Sequence, residues 1–318
     1  MGLPAMHKIL FSFFSRPMRL TPLALFLMPL FAGGVARADS TADPAAVKRG
    51  AYVFAVAGCA NCHTDRKNKG AMLAGGPALA TPFGTFYGPN ITPDPTYGIG
   101  RWSDADFIRA LREGFRADGA HLFPVFPYPS FTLMTDADML DLKAYIFSLP
   151  PVAQPSREQD VWFPFSWRWL QTFWRWLNFT PGPYVPDPAR SAVWNRGAYI
   201  VRGVAHCGEC HTPRDFMGGL ENSLAFSGNP DGPDRLKVPD ITPDKATGIG
   251  SWSHNQLVMF LDSGLLPNGD VAGSAMGEVI ANGTSKMTDQ DREAVAVFLE
   301  SLPAIPNPAA KAIKAGFD

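Results

Sequence analysis

The spacing of apolar residues predicts three helices in each half of this 318-residue chain. Residues three and four apart share one helix face, and Phe107 with Leu111 and Leu257 with Leu261 follow this spacing. The predicted helices run over about 45–57, Ser103 to Gly114, Thr135 to Pro150, about 192–204, Ser253 to Gly264, and Thr288 to Pro303. No convincing strand-like alternation accompanies them, so the predicted fold class is all-α.

The same sequence blocks occur twice along the chain, in the same order. The paired blocks are 90–94 with 240–244, 98–103 with 248–253, and 134–150 with 287–303. Duplication of one domain is the simplest explanation. We therefore expect two tandem domains, residues 39–152 and 191–318, separated by residues 153–190.

The segment between the predicted domains is rich in aromatic residues. Residues 161–179 contain five of the eight tryptophans. Read as a helix, the segment carries Arg168, Gln171, Thr172 and Arg175 on one polar stripe, and aromatic and leucine side chains elsewhere. We expect a buried linker helix that packs across both domains, since two small cores leave much apolar surface to cover. The alternative is a docking or membrane-surface element.

Two copies of Cys-x-x-Cys-His use every cysteine in the chain. This spacing is typical of covalent haem attachment, because two thiols on one helix face can bond the porphyrin while the adjacent histidine binds the iron. The sequence therefore predicts two covalently bound haem c groups. The attachment residues would be Cys59, Cys62, Cys207 and Cys210, and the proximal iron ligands would be His63 and His211.

Other uses of four cysteines explain the sequence less well. Two disulfides would leave the two identically placed histidines unexplained. A zinc site would require the two cysteine pairs to converge, although they lie far apart in matching contexts. A thioredoxin-like redox pair would lie beside a βαβ pattern, which is missing from the sequence.

The net charge indicates which partners are excluded, and the N-terminal sequence indicates the cell compartment. The formal net charge of −1 gives no basic footprint for nucleic acid. Lys8, Arg16 and Arg19 precede an apolar run over 20–35, and an Ala-x-Ala cleavage signal follows at 36–38. Residues 1–38 are therefore predicted to be a signal peptide, with an uncleaved anchor as the alternative. We expect a periplasmic protein, or one on the periplasmic face of the inner membrane.

The repeated motifs together resemble a known family. Arg-Gly-Ala-Tyr, Cys-x-x-Cys-His-Thr, Ile-Thr-Pro-Asp, Gly-Ile-Gly-x-Trp-Ser and a closing helix that ends in Leu-Pro are similar to the multihaem cytochrome c subunits of membrane-bound alcohol, gluconate and aldehyde dehydrogenases. Those subunits commonly carry three haem domains, whereas this chain has two motifs. The resemblance implies paired cytochrome c folds and a partner dehydrogenase as electron donor, with a quinone or oxidase downstream.

The resemblance also bears on the distal iron ligands. In the second domain it points to Met276, whereas Met287 directly precedes the last helix and is expected to be a core residue. The first domain has Phe126 where the family often has methionine. There Met134 is the predicted ligand, His121 is the alternative, and a vacant site is the third possibility.

These features favour an electron-transfer subunit of a dehydrogenase complex over an enzyme in its own right. The alternative is a dihaem enzyme of the peroxidase or thiosulfate-oxidising type. It would require an open or unusual sixth ligand on the first haem, and Phe126 is compatible with that.

Overall fold

The structure is a computed structural model that describes residues 43–310. The predicted signal peptide at 1–38 lies outside the described residues. Below, the N-terminal half denotes residues 43–152 and the C-terminal half denotes residues 191–310.

The N-terminal half contains five helices. They are α1 (Pro44–Val56), α2 (Cys59–His63), α3 (Asp104–Glu113), α4 (Tyr128–Phe131) and α5 (Asp136–Ser148). Ser103 caps α3, since its hydroxyl accepts from the amide of Asp106, and the Asp106 carboxylate accepts from the Ser103 amide in return. Gly114 ends this helix in the left-handed conformation. The predicted limits of this helix are confirmed.

The C-terminal half repeats this order of helices. They are α7 (Ala192–Tyr199), which continues as a π-helical turn over Ile200–Val204, α8 (Gly208–His211), α9 (His254–Ser263), α10 (Ser274–Asn282) and α11 (Asp289–Glu300). Short 3-10 turns lie at Asn222–Leu224, Pro233–Arg235 and Thr284–Lys286. Thr288 caps α11 as Thr135 caps α5. Both helices end before a proline, as predicted.

A small antiparallel sheet is the main departure from the all-α prediction. Its strands are β1 (Ala78–Thr81), β2 (Gly84–Tyr87) and β3 (Asp160–Val161), in the order β1-β2-β3. Ala78 pairs with Tyr87, and Gly84 pairs with Val161. The strands are too short for a clear alternating pattern, and β3 comes from a distant segment.

The first and last helices of each half cross at a glycine. A Cβ atom on Gly50 in α1 would lie 1.8 Å from the Asp141 carbonyl oxygen in α5. A Cβ atom on Gly197 in α7 would lie 1.9 Å from the Ala294 carbonyl oxygen in α11. Only glycine permits so close an approach of two helix backbones. The glycine of each Arg-Gly-Ala-Tyr motif therefore allows the helix pair to form.

The arginine of the same motif joins the same two helices. Arg49 makes a bidentate pair with Asp141, at 2.6 and 2.8 Å. Arg196 makes a bidentate pair with Asp291, at 2.8 and 2.7 Å. Paired N–H···O bonds of this kind fix orientation as well as distance. Each closing helix is therefore held in register on its opening helix.

A single cluster of buried apolar side chains runs through both halves. It includes Phe54 and Ile146 from the N-terminal half, and Ile200, Val201 and Phe298 from the C-terminal half. The Ser130 hydroxyl in α4 also donates to the Glu209 carboxylate in α8, at 2.6 Å. The two halves therefore share one core, and their motifs have fixed relative positions.

The aromatic segment is oriented oppositely to the buried helix that we expected. It forms a 3-10 turn at Arg168–Leu170 and helix α6 at Gln171–Asn178. Three of the four residues of its polar stripe face inward: Gln171 is buried, the Arg168 guanidinium donates to the His121 carbonyl at 2.6 Å, and the Arg175 guanidinium donates to the Glu113 carbonyl. Most of the aromatic side chains face outward. Part-buried carbonyl groups that accept from both arginines explain the reversal.

The outward-facing side chains of this segment form one set, called here the aromatic surface. It consists of Trp162, Phe163, Phe165, Trp167, Trp169, Phe173, Trp176 and Leu177, which are between 43% and 81% exposed. Trp174 is the exception, because it is buried and its indole N–H donates to the Met217 carbonyl at 3.0 Å. Among residues 43–310, no helix is long and apolar enough to cross a membrane.

Candidate haem sites

Both Cys-x-x-Cys-His motifs open onto one continuous cavity. Its volume is about 2300 Å³, and Cys59, Cys62, Cys207 and Cys210 all line it, with both motif histidines. The walls are mainly apolar, with side chains such as Phe86, Leu142, Leu257 and Leu299. The two predicted attachment sites therefore face a shared apolar interior.

Helix α2 presents the first motif to the cavity. It begins after Gly58, whose φ of +63° turns the chain between α1 and α2. One helical turn places Cys59 and Cys62 on the same side. The His63 Nδ1 lies 2.7 Å from the Pro89 carbonyl oxygen. A carbonyl can only accept, so Nδ1 carries the proton and Nε2 keeps a free lone pair for a metal.

The second motif has the same arrangement in α8. The His211 Nδ1 donates to the Pro239 carbonyl oxygen at 2.8 Å. Pro89 and Pro239 directly precede the repeated segments Asn90-Ile-Thr-Pro and Asp240-Ile-Thr-Pro. Sequence reasoning recognised those segments as repeats but missed their role, which is to place a carbonyl group behind each histidine. The proline that precedes both copies was the sequence signal for this role.

Burial sets the protonation of these side chains. Burial lowers the pKa of His63 and of His211 from the ordinary value for histidine, although the hydrogen bonds to the proline carbonyls act in the opposite direction. Both imidazoles are therefore neutral near pH 7, as an iron ligand must be. Burial raises the pKa of the Cys59 and Cys207 thiols to about 12. These cysteines would be poor redox thiols, because they do not form thiolates at neutral pH.

Glu209, inside the second motif, ties that motif to its surroundings. Its carboxylate accepts from the Arg214 guanidinium at 2.6 Å and from the Ser130 hydroxyl at 2.6 Å. The side chain is buried, so both bonds act in a medium that screens them little. The spacing between the two motifs is thus held by a charged group with a partner on each side.

The donor set fits haem c better than the alternatives. No disulfide joins the four cysteines. Within residues 43–310, no three His, Cys, Asp or Glu side chains come together as a metal-ion cluster. Each site instead offers two thiols, one neutral imidazole and a large apolar wall. That combination matches a covalently attached porphyrin with a proximal nitrogen ligand.

The predicted distal residues lie in different surroundings. Met276 and Met287 both line the cavity. Met287 is also buried in the main apolar cluster, whereas Met276 is only partly buried. The role of Met276 as an iron ligand stays a prediction.

The structure does not bring either named candidate for the first distal position to the cavity. Met134 is fully buried in the core, and its carbonyl oxygen accepts from the Arg112 guanidinium at 2.8 Å. His121 packs on Phe115 with 4.6 Å between the ring centroids, and its Nε2 is hydrogen-bonded with the Thr172 hydroxyl at 3.1 Å. Neither side chain is among the residues that line the cavity.

Known proteins with similar sequences decide the family. A family model described as cytochrome c matches residues 47–150. A "Diheme cytochrome c-type" protein of Cereibacter sphaeroides is 40% identical over 260 residues, covering 81% of this chain and 86% of that protein. The chain belongs to the cytochrome c family. Covalent haem c and electron transfer follow from this membership.

Other relatives are named as subunits of dehydrogenases. The cytochrome c subunit of alcohol dehydrogenase (quinone) from Gluconacetobacter polyoxogenes is 43% identical over 286 residues, covering 87% of this chain and 60% of the relative. The fructose dehydrogenase cytochrome subunit of Gluconobacter japonicus is 40% identical over 297 residues, covering 91% of this chain and 60% of the relative. The chain spans about 60% of the length of these two relatives.

The cytochrome c match covers the first motif directly. Cys59, Cys62 and His63 lie inside the matched range 47–150, whereas the second motif lies beyond it. The second motif nevertheless has the same histidine–carbonyl geometry and faces the same cavity. These two features favour a second haem c at Cys207, Cys210 and His211.

Proposed function

We propose that this chain is a periplasmic dihaem cytochrome c that accepts electrons from a partner dehydrogenase and passes them toward the respiratory chain. It would consist of tandem cytochrome c domains, residues 39–152 and 191–318, joined by an aromatic-rich linker at 153–190. The observation that carries the proposal is the pair of Cys-x-x-Cys-His motifs on one cavity, each with its histidine Nδ1 bonded to a proline carbonyl. Names of the relatives support a dehydrogenase as partner.

The residues of the chain have distinct roles in this proposal. Cys59 with Cys62, and Cys207 with Cys210, would hold the two haems through thioether bonds. His63 and His211 would be the proximal ligands, and Met276 the distal ligand of the second haem. The haems, when bound, supply one-electron iron chemistry. The protein keeps water away from them and fixes their separation through contacts such as Ser130 to Glu209.

The aromatic surface supports a membrane-facing position for the protein. Arg168 and Arg175, the basic residues of this part of the chain, have their guanidinium groups turned inward to the carbonyl groups of His121 and Glu113. The outward face therefore presents uncharged tryptophan, phenylalanine and leucine side chains. Tryptophan favours the boundary between lipid headgroups and hydrocarbon. We assign this face to the surface of the inner membrane, where membrane-bound dehydrogenases and quinones are found.

Haem counting tests the central proposal. Denaturing electrophoresis with haem staining, together with a pyridine haemochrome assay, should give two covalent haems per chain. Cys62→Ala and Cys210→Ala should each remove most of one haem, because efficient attachment requires both thiols of a motif. Asn61→Ala, inside the first motif, is the matched control and should keep two. If either cysteine variant retained two firmly attached haems, the paired-site proposal would fail.

Vesicle binding tests the membrane assignment. The double variant Trp169→Ser with Trp176→Ser should reduce co-sedimentation with phosphatidylglycerol–phosphatidylcholine vesicles and leave the haem spectrum intact, because neither residue lines the cavity. Val185→Ser, which is 79% exposed in the wild-type protein but lies outside the aromatic surface, is the control. Equal vesicle binding by all three proteins would contradict a membrane role for this face.

A further inference from the structure

The loops that precede the two distal positions have the same backbone pairing. Phe115 bridges to His121 in the N-terminal half, as Leu265 bridges to Val271 in the C-terminal half. The amide of Leu122 donates to the Gly114 carbonyl at 2.8 Å. In the second loop, the amide of Ala272 donates to the Gly264 carbonyl, also at 2.8 Å. The two loops are therefore in register up to Leu122 and Ala272.

This register makes Phe126 the counterpart of Met276. Phe126 is four residues beyond Leu122, and Met276 is four residues beyond Ala272. Both side chains line the cavity. A thioether sulfur has a lone pair that binds iron, whereas a phenyl ring has none. The position that is proposed to supply a ligand in the C-terminal half therefore supplies only an apolar surface in the N-terminal half.

Nearby donors do not replace the missing thioether. His121 is the counterpart of Val271 in this register, and its ring packs on Phe115 and is hydrogen-bonded with the Thr172 hydroxyl, outside the cavity lining. Met134 lies in the core and outside the cavity lining. His206 lines the cavity, but its Nε2 donates to the Ala57 carbonyl at 3.2 Å. The His206 ring also packs edge-on against Phe131, with 5.3 Å between the ring centroids.

The side chains around Phe126 are aromatic. Phe126 packs against Phe131 with 5.6 Å between the ring centroids, and Phe123 packs edge-on against Phe86 at 5.3 Å. All four rings line the cavity. A charged ligand that enters against these rings loses part of its hydration. A small neutral molecule does not carry this cost.

We propose that the first haem has no protein side chain at its sixth coordination position, and that its ferrous iron binds a neutral diatomic molecule there. This inference rests on the proposed function, because it requires haem c on Cys59 and Cys62. Carbon monoxide is the probe, since it binds ferrous haem with an open sixth position and adds no charge. The second haem, with Met276, should bind carbon monoxide far more weakly.

The test compares carbon monoxide stoichiometry in the whole protein. The dithionite-reduced wild-type protein should bind one carbon monoxide for every two haems, measured by the difference spectrum and normalised to the pyridine haemochrome count. Phe126→Met should abolish that binding and double the long-wavelength thioether charge-transfer band of the oxidised protein. Leu122→Met, on the same loop and cavity wall, is the matched control and should still bind one carbon monoxide.

A reciprocal variant keeps the test independent of how Phe126→Met folds. Met276→Phe should raise the stoichiometry from one carbon monoxide to two per chain. Two attached haems with no carbon monoxide binding and a purely low-spin spectrum would overturn this inference, because another side chain must then bind the first iron. Fewer than two attached haems in the wild-type protein would instead overturn the proposed function.

Discussion

The Tyr199 hydroxyl, in the second Arg-Gly-Ala-Tyr motif, donates a hydrogen bond to the Asp138 carboxylate in the first turn of α5. The reciprocal bond also forms, from the Tyr52 hydroxyl of the first motif to the Asp291 carboxylate in the first turn of α11. Each half therefore contributes the same donor and the same kind of acceptor. Reciprocal contacts of this kind are the mark of a two-fold interface, formed here within one chain.

Removal of these two hydroxyl groups should loosen the interface between the halves. Tyr52→Phe and Tyr199→Phe should each lower the free energy of unfolding by about 1.5–3 kcal/mol, because each deletes a hydrogen bond to a charged group. Chemical denaturation followed by tryptophan fluorescence measures the change. Tyr184→Phe, which removes a bond from the segment between the halves to Asn195, should cost less. Equal losses for all three variants would argue against a special role of the interface bonds.

The glycines at the helix crossings should tolerate no side chain. Gly197→Ala would place a Cβ atom 1.9 Å from the Ala294 carbonyl oxygen, so α7 and α11 must separate. Overpacking of this kind typically costs about 1–3 kcal/mol. Gly273→Ala is the control, because a Cβ atom there meets no atom within 4 Å. Melting temperatures that fall equally for both variants would contradict the close-crossing explanation.

Acid should weaken the crossing of α7 and α11, because Asp291 loses the charge that pairs with Arg196. Burial opposes ionisation of Asp291, but hydrogen bonds from Arg196 and Tyr52 hold its pKa below the ordinary aspartate value. A lowered folded-state pKa means that the unfolded chain binds the proton more readily, so stability falls as pH drops below about 4. Asp291→Asn should flatten this acid limb in a pH series of urea denaturations. Asp231→Asn, at an exposed position, should leave it unchanged.

Local sequence signals predicted the helix limits because their physics is local. Ser103 caps a helix through an amide three residues away, and Gly114 ends it through its own backbone angle. The β-sheet escaped prediction because β3 pairs with β2 across a long separation in the chain. Whether a polar stripe faces water or the core is also decided by distant groups. Here the His121 and Glu113 carbonyl groups draw Arg168 and Arg175 inward.

The candidate site shows the same division between local and distant information. The Cys-x-x-Cys-His spacing is complete within one helical turn, so sequence alone indicated the proximal side of each haem. The residue on the distal side of each haem depends on how a loop folds, and spacing along the sequence does not determine that. Met134 is a thioether close to the expected position in sequence, yet its side chain lies in the core. The backbone pairing of the two loops makes Phe126 the counterpart of Met276, in agreement with the family resemblance, which has a methionine at the position of Phe126.

The orientation of α6 buries one tryptophan and exposes another that is two residues away in sequence. Trp174 is 8% exposed, and its indole N–H donates to the Met217 carbonyl, whereas Trp176 is 81% exposed. Trp174→Ala should lower the free energy of unfolding by about 3–5 kcal/mol, as for other buried large-to-small changes. Trp176→Ala should change stability by less than about 0.5 kcal/mol. Comparable losses for both variants, measured by thermal denaturation, would contradict the outward orientation of the aromatic surface.

The methionines of the C-terminal half should respond differently to truncation. Met276→Ala should abolish the thioether charge-transfer band of the oxidised second haem and lower its reduction potential, because the thioether stabilises ferrous iron. Met287→Ala should keep the band and instead cost about 2–5 kcal/mol of stability, since its side chain packs in the core. Visible spectra and redox titrations of both variants distinguish these effects. Loss of the band in Met287→Ala alone would reassign the ligand, and would also renew the case for Met134, which precedes α5 as Met287 precedes α11.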